Sequence, residues 1–228
     1  MTIAEKQTYA LKLLNNLLDE GCDPQTIAVA WTGGKDSTVA LHLWRSVLLA
    51  RMPEVAVQAL TINTGYKFPE VITFRNALAK EWNIQLHEVR PTIELSDYPV
   101  ASDVIRCCNE LKVVPLQKAI ETRKIQILIT GIRRDEHPSR HTTLPVEQAK
   151  QPEHRRVHPV LEFTELDIWA YTFESQLPYC PLYDEGYRSL GCQPCTFAPD
   201  SVLNDEERAG RNAKKEENMQ ALRSLGYF

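Results

Sequence analysis

The stretch from Ile27 to Ser46, IAVAWTGGKDSTVALHLWRS, constrains this chain more than any other. Ile27, Val29 and Trp31 lie in a β-rich apolar run, and Val39, Leu43 and Val47 recur every fourth position, so the period changes from strand to helix. Between them Thr32, Gly33, Gly34, Lys35, Asp36 and Ser37 must form the turn. Glycines let the backbone approach a ligand, so that successive N–H groups at a helix N-terminus can meet an anion. Lys35 adds a point charge, Asp36 a candidate magnesium ligand and Ser37 a hydroxyl donor. The loop is not a Walker loop, which needs four residues between its first glycine and Gly-Lys. Strand, TGGKDS and helix in succession predict nucleotide phosphate binding; the plain alternative is a tight turn with an exposed Lys-Asp pair.

TGGKDS resembles the SGGxDS loop of the N-type ATP pyrophosphatases, enzymes that cleave ATP between the α and β phosphates. The resemblance implies an α/β fold of the adenine nucleotide alpha hydrolase kind, a doubly wound, mainly parallel sheet with helices on both faces. It also implies an ATP- or AMP-type nucleotide with Mg2+, and a site including Thr32, Gly33, Gly34 and Ser37.

The remaining strands are consistent with that architecture. Val55–Ile62 reads as a second buried strand ending in Asn63-Thr64-Gly65, Ile84–Val89 as a third and Ile125–Thr130 as a fourth. In an open parallel sheet ligands lie beyond the carboxyl ends of strands, which puts Thr61, Asn63 and Thr64 near the same ligand as Gly34. TINTGYKFPEVITFR resembles the VDTGxxFxET-type segment of the sulfate-assimilation branch, with Asn63 where an acidic residue is common. After the fourth strand comes GIRRDEHPSRHT: Gly131 permits a turn, Arg133, Arg134 and Arg140 bring guanidiniums that suit phosphate or sulfate oxygens, and Asp135 and Glu136 are expected to hold them. A solvated charge run is the alternative. The segment resembles the substrate loop of sulfate adenylyltransferase small subunits and phosphosulfate reductases.

Helices are expected over 3–20, stopped by Gly21, and over 70–82. Residues 144–156, polar and without periodicity, are expected to form a loop or lid, although HRRVH resembles a basic strand of the family. Thr164 should cap a helix through 174 whose buried face is Leu166, Trp169, Ala170 and Phe173, and the charged tail from Asn204 to Phe228 should be mostly helical. The expected organisation is a nucleotide-binding domain over 1–176 and a cysteine-bearing C-terminal extension over 177–228, packed on the same core.

The 228 residues carry a net charge of −4, which argues against a general nucleic-acid coat or a membrane-surface protein, so any anion site must be local. The N-terminus lacks a basic region followed by an apolar one, and a cytoplasmic protein is expected. Six cysteines are too few for a disulfide scaffold in a chain this long. Cys107-Cys108 and Cys192-x-x-Cys195 together supply four thiolates, the count for a 4Fe-4S cluster or an all-cysteine zinc site. The pattern, with GCxPCT and ERAGR at 207–211, resembles the iron-sulfur branch of the adenylylsulfate reductases.

The two resemblances diverge in function. The phosphate loop resembles an ATP-cleaving enzyme, whereas the cysteines resemble a reductase whose C-terminal Glu-Cys-Gly-Leu-His segment has no counterpart after Cys195. The leading expectation is an iron-sulfur ATP pyrophosphatase of the phosphosulfate reductase superfamily that adenylylates sulfate or a substrate to be thiolated. In it Lys35, Asp36, Arg133, Arg134 and Arg140 act on the reacting anions. Adenylylsulfate or phosphoadenylylsulfate reduction, and a sulfurylase-type nucleotide-binding subunit, are the alternatives. A redox or sulfur-donor protein partner and a homo-oligomer are compatible with this expectation, a nucleic-acid acceptor is disfavoured by the net negative charge, and no membrane partner is expected.

Overall fold

The computed structural model describes residues 1–197 and 206–227. Six strands form one sheet: β1 (Ile27–Ala30), β2 (Gln58–Ile62), β3 (Gln85–Val89), β4 (Ile127–Thr130), β5 (Val146–Lys150) and β6 (Glu153–Val157), in the spatial order β3-β2-β1-β4-β6-β5. All neighbours are parallel except the β5–β6 pair, where Val146 faces Val157 and Lys150 faces Glu153. The doubly wound, mainly parallel α/β sheet expected from the sequence is therefore present.

Helices α1 (Ile3–Asp19), α2 (Lys35–Arg51), α3 (Pro69–Glu81), α4 (Val104–Cys108), α5 (Val114–Arg123), α6 (Glu165–Glu174), α7 (Ala213–Glu217) and α8 (Met219–Ser224) surround it. Successive strand residues point to opposite faces, and β1 divides its side chains accordingly. Ile27, Val29 and Trp31 enter the larger core with Leu14 of α1, Leu43 of α2 and Ile168 of α6, whereas Ala28 and Ala30 meet Leu116 and Ile120 of α5. Alanine on that second side lets α5 approach closely. The strand order reverses between β1 and β4, and the loops after those two strands open on the same crevice.

Three expectations are corrected. Residues 146–157 form the β5–β6 hairpin rather than a loop or lid. Charged and polar side chains occupy both of its faces, as suits an edge, and this removes the apolar alternation that would betray a strand. On α6 the buried residues are Ile168, Tyr171 and Thr172, while Leu166 is 80% and Phe173 62% exposed. This helix is apolar on two sides, and the side that meets α2 is set by Tyr171, whose hydroxyl lies 2.9 Å from His42 Nδ1. The tail is broken into two short helices, α7 and α8, and Asn204, Asp205 and Phe228 lie outside the described residues. No helix among the described residues is long and apolar enough to cross a membrane.

Candidate active site

At the switch point β1 ends, the chain turns through Thr32, Gly33 and Gly34, and α2 begins at Lys35. Gly33 takes φ +84 with Val71 and Arg75 packed behind it. Thr32 N–H and hydroxyl lie 3.3 and 3.2 Å from Ser37 Oγ, which pins the loop across the helix's first turn. β4 delivers Gly131 directly onto this turn, because a Cβ there would meet Ser37 N at 2.5 Å and the Asp36 carbonyl carbon at 2.7 Å.

A cleft of about 1170 Å³, counting its open mouth, runs from this turn across the ends of β1, β2 and β4. Ala30, Leu60, Ile62, Val113 and Leu116 give it an apolar wall suited to a flat base. Of the residues singled out in the sequence, Thr32, Gly34, Asp36, Ser37, Thr64, Gly131 and Arg140 line it. Others stand behind or outside. Thr61 is buried and accepts a 3.0 Å bond from Arg75, while Asn63 donates to Glu88 and accepts from Gly65. Arg134 turns away to Glu162 and to the carbonyls of His141 and Thr143.

Lys35 and Arg133 lie under the loop, and both are already paired. Lys35 Nζ donates to Glu207 at 2.5 Å, to the Arg188 carbonyl at 3.0 Å and to Asp36 at 3.3 Å. Arg133 binds Asp36 and Glu207 through its two terminal nitrogens and Asp135 through Nε. The Tyr183 hydroxyl accepts the Lys35 N–H at 3.0 Å. Burial disfavours both cations, yet Asp36 and Glu207 hold them charged, well above their ordinary ranges. Carboxylate oxygens of Asp36, Glu136 and Glu207 lie within 4.8 Å of one another, the one such grouping among the described residues, so Asp36 stands where a divalent cation could be shared.

Glu136 organises the arginine loop as expected, binding Arg140 and Arg208 and accepting the Arg133 N–H at 3.1 Å. Burial would raise its carboxyl, but Arg140, Arg208 and Arg133 bring it from 4.5 down to about 2. A depressed carboxyl stabilises the fold above its unfolded value and loses that contribution as pH falls through the folded value. The expected result is a loss of stability as pH falls from about 4.5 toward 2 that is clearly steeper in the wild type than in Glu136→Gln, which keeps only the contribution of the other depressed carboxyls such as Glu88 and Glu147. Parallel profiles in urea unfolding of the two proteins would contradict this.

The far end of the cleft is cationic. Lys67, Lys112, Arg208 and Arg211 line it with Tyr227. Lys112 is carried by a π-helical turn, Asn109–Val113, between α4 and α5; Pro115 has no N–H to give the carbonyl four residues back, and the helix widens there. Arg211 is 6% exposed and donates to Ser189 and the Leu190 carbonyl, while its Nε has no partner among the described residues. Lys215 donates to the Tyr227 hydroxyl at 2.8 Å. Burial pushes that phenol up, but Lys112 and Lys215 draw it down to about 7.

Cys107, Cys108, Cys192 and Cys195 gather beside these cations, each at most 7% exposed and none in a disulfide. Cys192 is held by an antiparallel bridge to Lys67, with Thr64 Oγ1 3.3 Å from its sulfur. Burial raises this thiol, but Lys112 and Lys67 outweigh it and bring it to about 6, the thiolate form a metal requires. The Cys107 thiol, raised mainly by burial, feels Cys108 and Cys192, and Cys195, also raised by burial, feels Cys192 and Cys108. Four buried thiols beside lysines and an arginine that offset negative charge offer the donor set of a 4Fe-4S cluster or an all-cysteine zinc site.

An open sheet with an anion loop and a guanidinium loop meeting at its switch point defines a nucleotide-binding α/β protein. Within that class the chain belongs to the phosphoadenosine phosphosulfate reductase domain family, whose model matches residues 26–198. Phosphoadenosine 5'-phosphosulfate reductase of Xanthomonas oryzae pv. oryzae (strain PXO99A) is 30% identical over 202 residues, 85% of this chain and 80% of that protein. Adenosine 5'-phosphosulfate reductase of Mycobacteroides abscessus is 33% identical over 193 residues, 79% of this chain and 80% of that one. The fold is shared with Candida glabrata FMN adenylyltransferase in complex with FMN and an ATP analogue, at TM-score 0.70 and 20% identity over 89% of this chain and 68% of that one. It is also shared with the U34-tRNA thiolase NcsA of Methanococcus maripaludis with its 4Fe-4S cluster, at TM-score 0.61 and 16% identity over 99% and 80%.

Proposed function

We propose that this chain is an adenylyl-transferring ATP pyrophosphatase of sulfur metabolism. The observation that carries the reading is a single cleft with a glycine-lysine phosphate loop at one end and a cluster of cations beside four thiols at the other. The adenine lies on Leu60, Ile62 and Leu116. The α-phosphoryl meets the Gly34 to Ser37 turn, with Mg2+ shared by Asp36, and an anionic acceptor, sulfate or a group awaiting thiolation, lies against Lys67, Lys112 and Arg211. An acceptor oxygen forms its bond to the α-phosphorus as the bond to the bridging oxygen breaks, and the electron pair leaves on pyrophosphate. An anionic oxygen needs no general base, so fixed charge is the main catalytic device. A 4Fe-4S cluster on Cys107, Cys108, Cys192 and Cys195 would supply local charge or carry sulfur at the acceptor end. Residues 1–176 would hold the nucleotide, and 177–228 would cover it.

The second reading, reduction of a phosphosulfate, is favoured by the reductases among the relatives and by the cationic end, which suits a sulfo group. Against it, the two remaining cysteines face elsewhere. Cys180 is fully buried with Phe68 and Leu182, and Cys22 sits 2.9 Å from Arg155 on the far side of the sheet. Reduction would therefore need a thiol from outside these residues.

Purified protein with Mg-ATP and candidate acceptors is expected to release pyrophosphate, and Lys35→Ala to lower that rate by 100-fold or so. Sulfite released from a phosphosulfate without any added partner would replace this reading with the second.

A further inference from the structure

We propose that Glu207 is the specificity-determining residue of the phosphate site, an internal carboxylate that holds the place of pyrophosphate until a pyrophosphate-bearing ligand displaces it. The inference rests on the adenylyl-transfer reading above and goes beyond it by naming the side chain that a pyrophosphate-bearing ligand displaces.

Glu207 is distant in sequence from everything it touches. Its two oxygens bridge Lys35 Nζ and Arg133 Nη2, cations whose side chains are 1% and 0% exposed. Two buried cations joined by the two oxygens of one anion is the arrangement a phosphoryl group would make with them. A second group from the same extension completes the substitution. The Tyr183 hydroxyl accepts the Lys35 N–H, the backbone donor at the start of α2, and its oxygen lies 3.4 Å from where a Gly34 Cβ would be. Trp169 holds the Tyr183 ring edge-on at 5.3 Å.

Asp36 also pairs with both cations, so departure of Glu207 leaves Lys35 and Arg133 sharing one carboxylate between them in a desolvated site, and an arriving anion restores the lost charge. Pyrophosphate brings enough charge to replace it. A nucleoside monophosphate, whose one phosphoryl is spent on the glycine turn, does not. The site therefore exchanges one internal anion for one external one, and the return of Glu207 on Lys35 and Arg133 helps expel the leaving group. Of the other acidic groups at this point, Asp36 belongs to the phosphate turn itself, Asp135 to the arginine loop, Glu165 is held by Arg188, and Glu136 by Arg140 and Arg208, so Glu207 is the bridging carboxylate that the extension brings.

The test measures binding of inorganic pyrophosphate, ATP and AMP by titration calorimetry to wild type, Glu207→Gln and Glu207→Asp. Glu207→Gln, which keeps the shape and removes the charge, is expected to bind pyrophosphate and ATP on the order of tenfold or more tighter, with AMP unchanged. Glu207→Asp, too short to bridge both cations, should fall between, and it carries the test if the glutamine variant does not fold. Pyrophosphate should also raise the melting temperature of the glutamine variant more than that of the wild type. ATP and pyrophosphate bound equally or more weakly by both variants, with AMP still bound, would overturn the role of Glu207 and leave the nucleotide site standing. Failure of all three ligands to bind wild type and variants alike would overturn the adenylyl-transfer reading and this inference together.

Discussion

Gly131→Ala is expected to cost roughly 100-fold in nucleotide affinity, although the substitution adds a single methyl group to a cleft residue that carries no charge and no side chain. The reason is what that methyl would meet. Ser37 N and Cα lie 2.5 Å from its position and the Asp36 carbonyl carbon 2.7 Å, all backbone atoms of the phosphate turn. A side chain could swing aside; a helix N-terminus cannot. Ordinary contact would require the turn to retreat by about 1 Å, enough to spoil several phosphate hydrogen bonds at once. Overpacking of this kind also costs about 1–3 kcal/mol, so the melting temperature should fall by roughly 3–10 °C. Calorimetric binding of ATP or AMP, set beside a thermal melt, checks both. An alanine variant that binds as the wild type does would mean that β4 and the phosphate turn stand farther apart than they do here.

That contact also shows why part of this site could be read from the sequence and part could not. The change of period around TGGKDS is local, and so is the succession of buried strand, glycine and arginines at Ile127 to Arg140; each reports its own fold through neighbours a few residues away. Chain topology then brings the two together, because the strand order reverses between them. The state of the charges is not local. Lys35 looks free in the sequence and Arg133 held by its neighbours Asp135 and Glu136, yet a group that binds both is Glu207, 172 residues after Lys35. Lys112 reaches the cleft through a π turn that no periodicity announces, and Lys67 is unremarkable until its strand-end loop is seen bridged to Cys192. Arg134 shows the opposite case: adjacent to Arg133 and equal to it in pattern, it points the other way, to Glu162. The one available signal for the missed residues was the ERAGR segment, which supplies Glu207, Arg208 and Arg211 together.

Substitution of Cys192 by serine is expected to remove bound iron and to loosen the whole cover of the cleft. Protein purified without oxygen should contain about four iron atoms and four acid-labile sulfides per chain, the content of one 4Fe-4S cluster, and the variant little of either. The structural consequence follows from how the cysteine segment is tied down. Its attachments to the sheet side are the Lys67–Cys192 bridge and a 2.7 Å bond from Gln193 N–H to the Tyr66 carbonyl, and beyond it Asn212 N–H reaches the Cys195 carbonyl at 3.2 Å. Those few backbone bonds hold Arg208 and Arg211 against the cleft, where Arg211 faces Lys67 and Lys112. A cluster bearing four thiolates supplies negative charge there and links α4 to the segment after Tyr187, so its loss removes a cross-link and leaves like charges opposed. A fall of roughly 10 °C in melting temperature is expected, with protease cleavage after 187 appearing in the variant before any in the sheet. Colourless wild-type protein carrying one zinc per chain, or a serine variant as stable as its parent, would show instead that the four sulfurs bind one small ion or none.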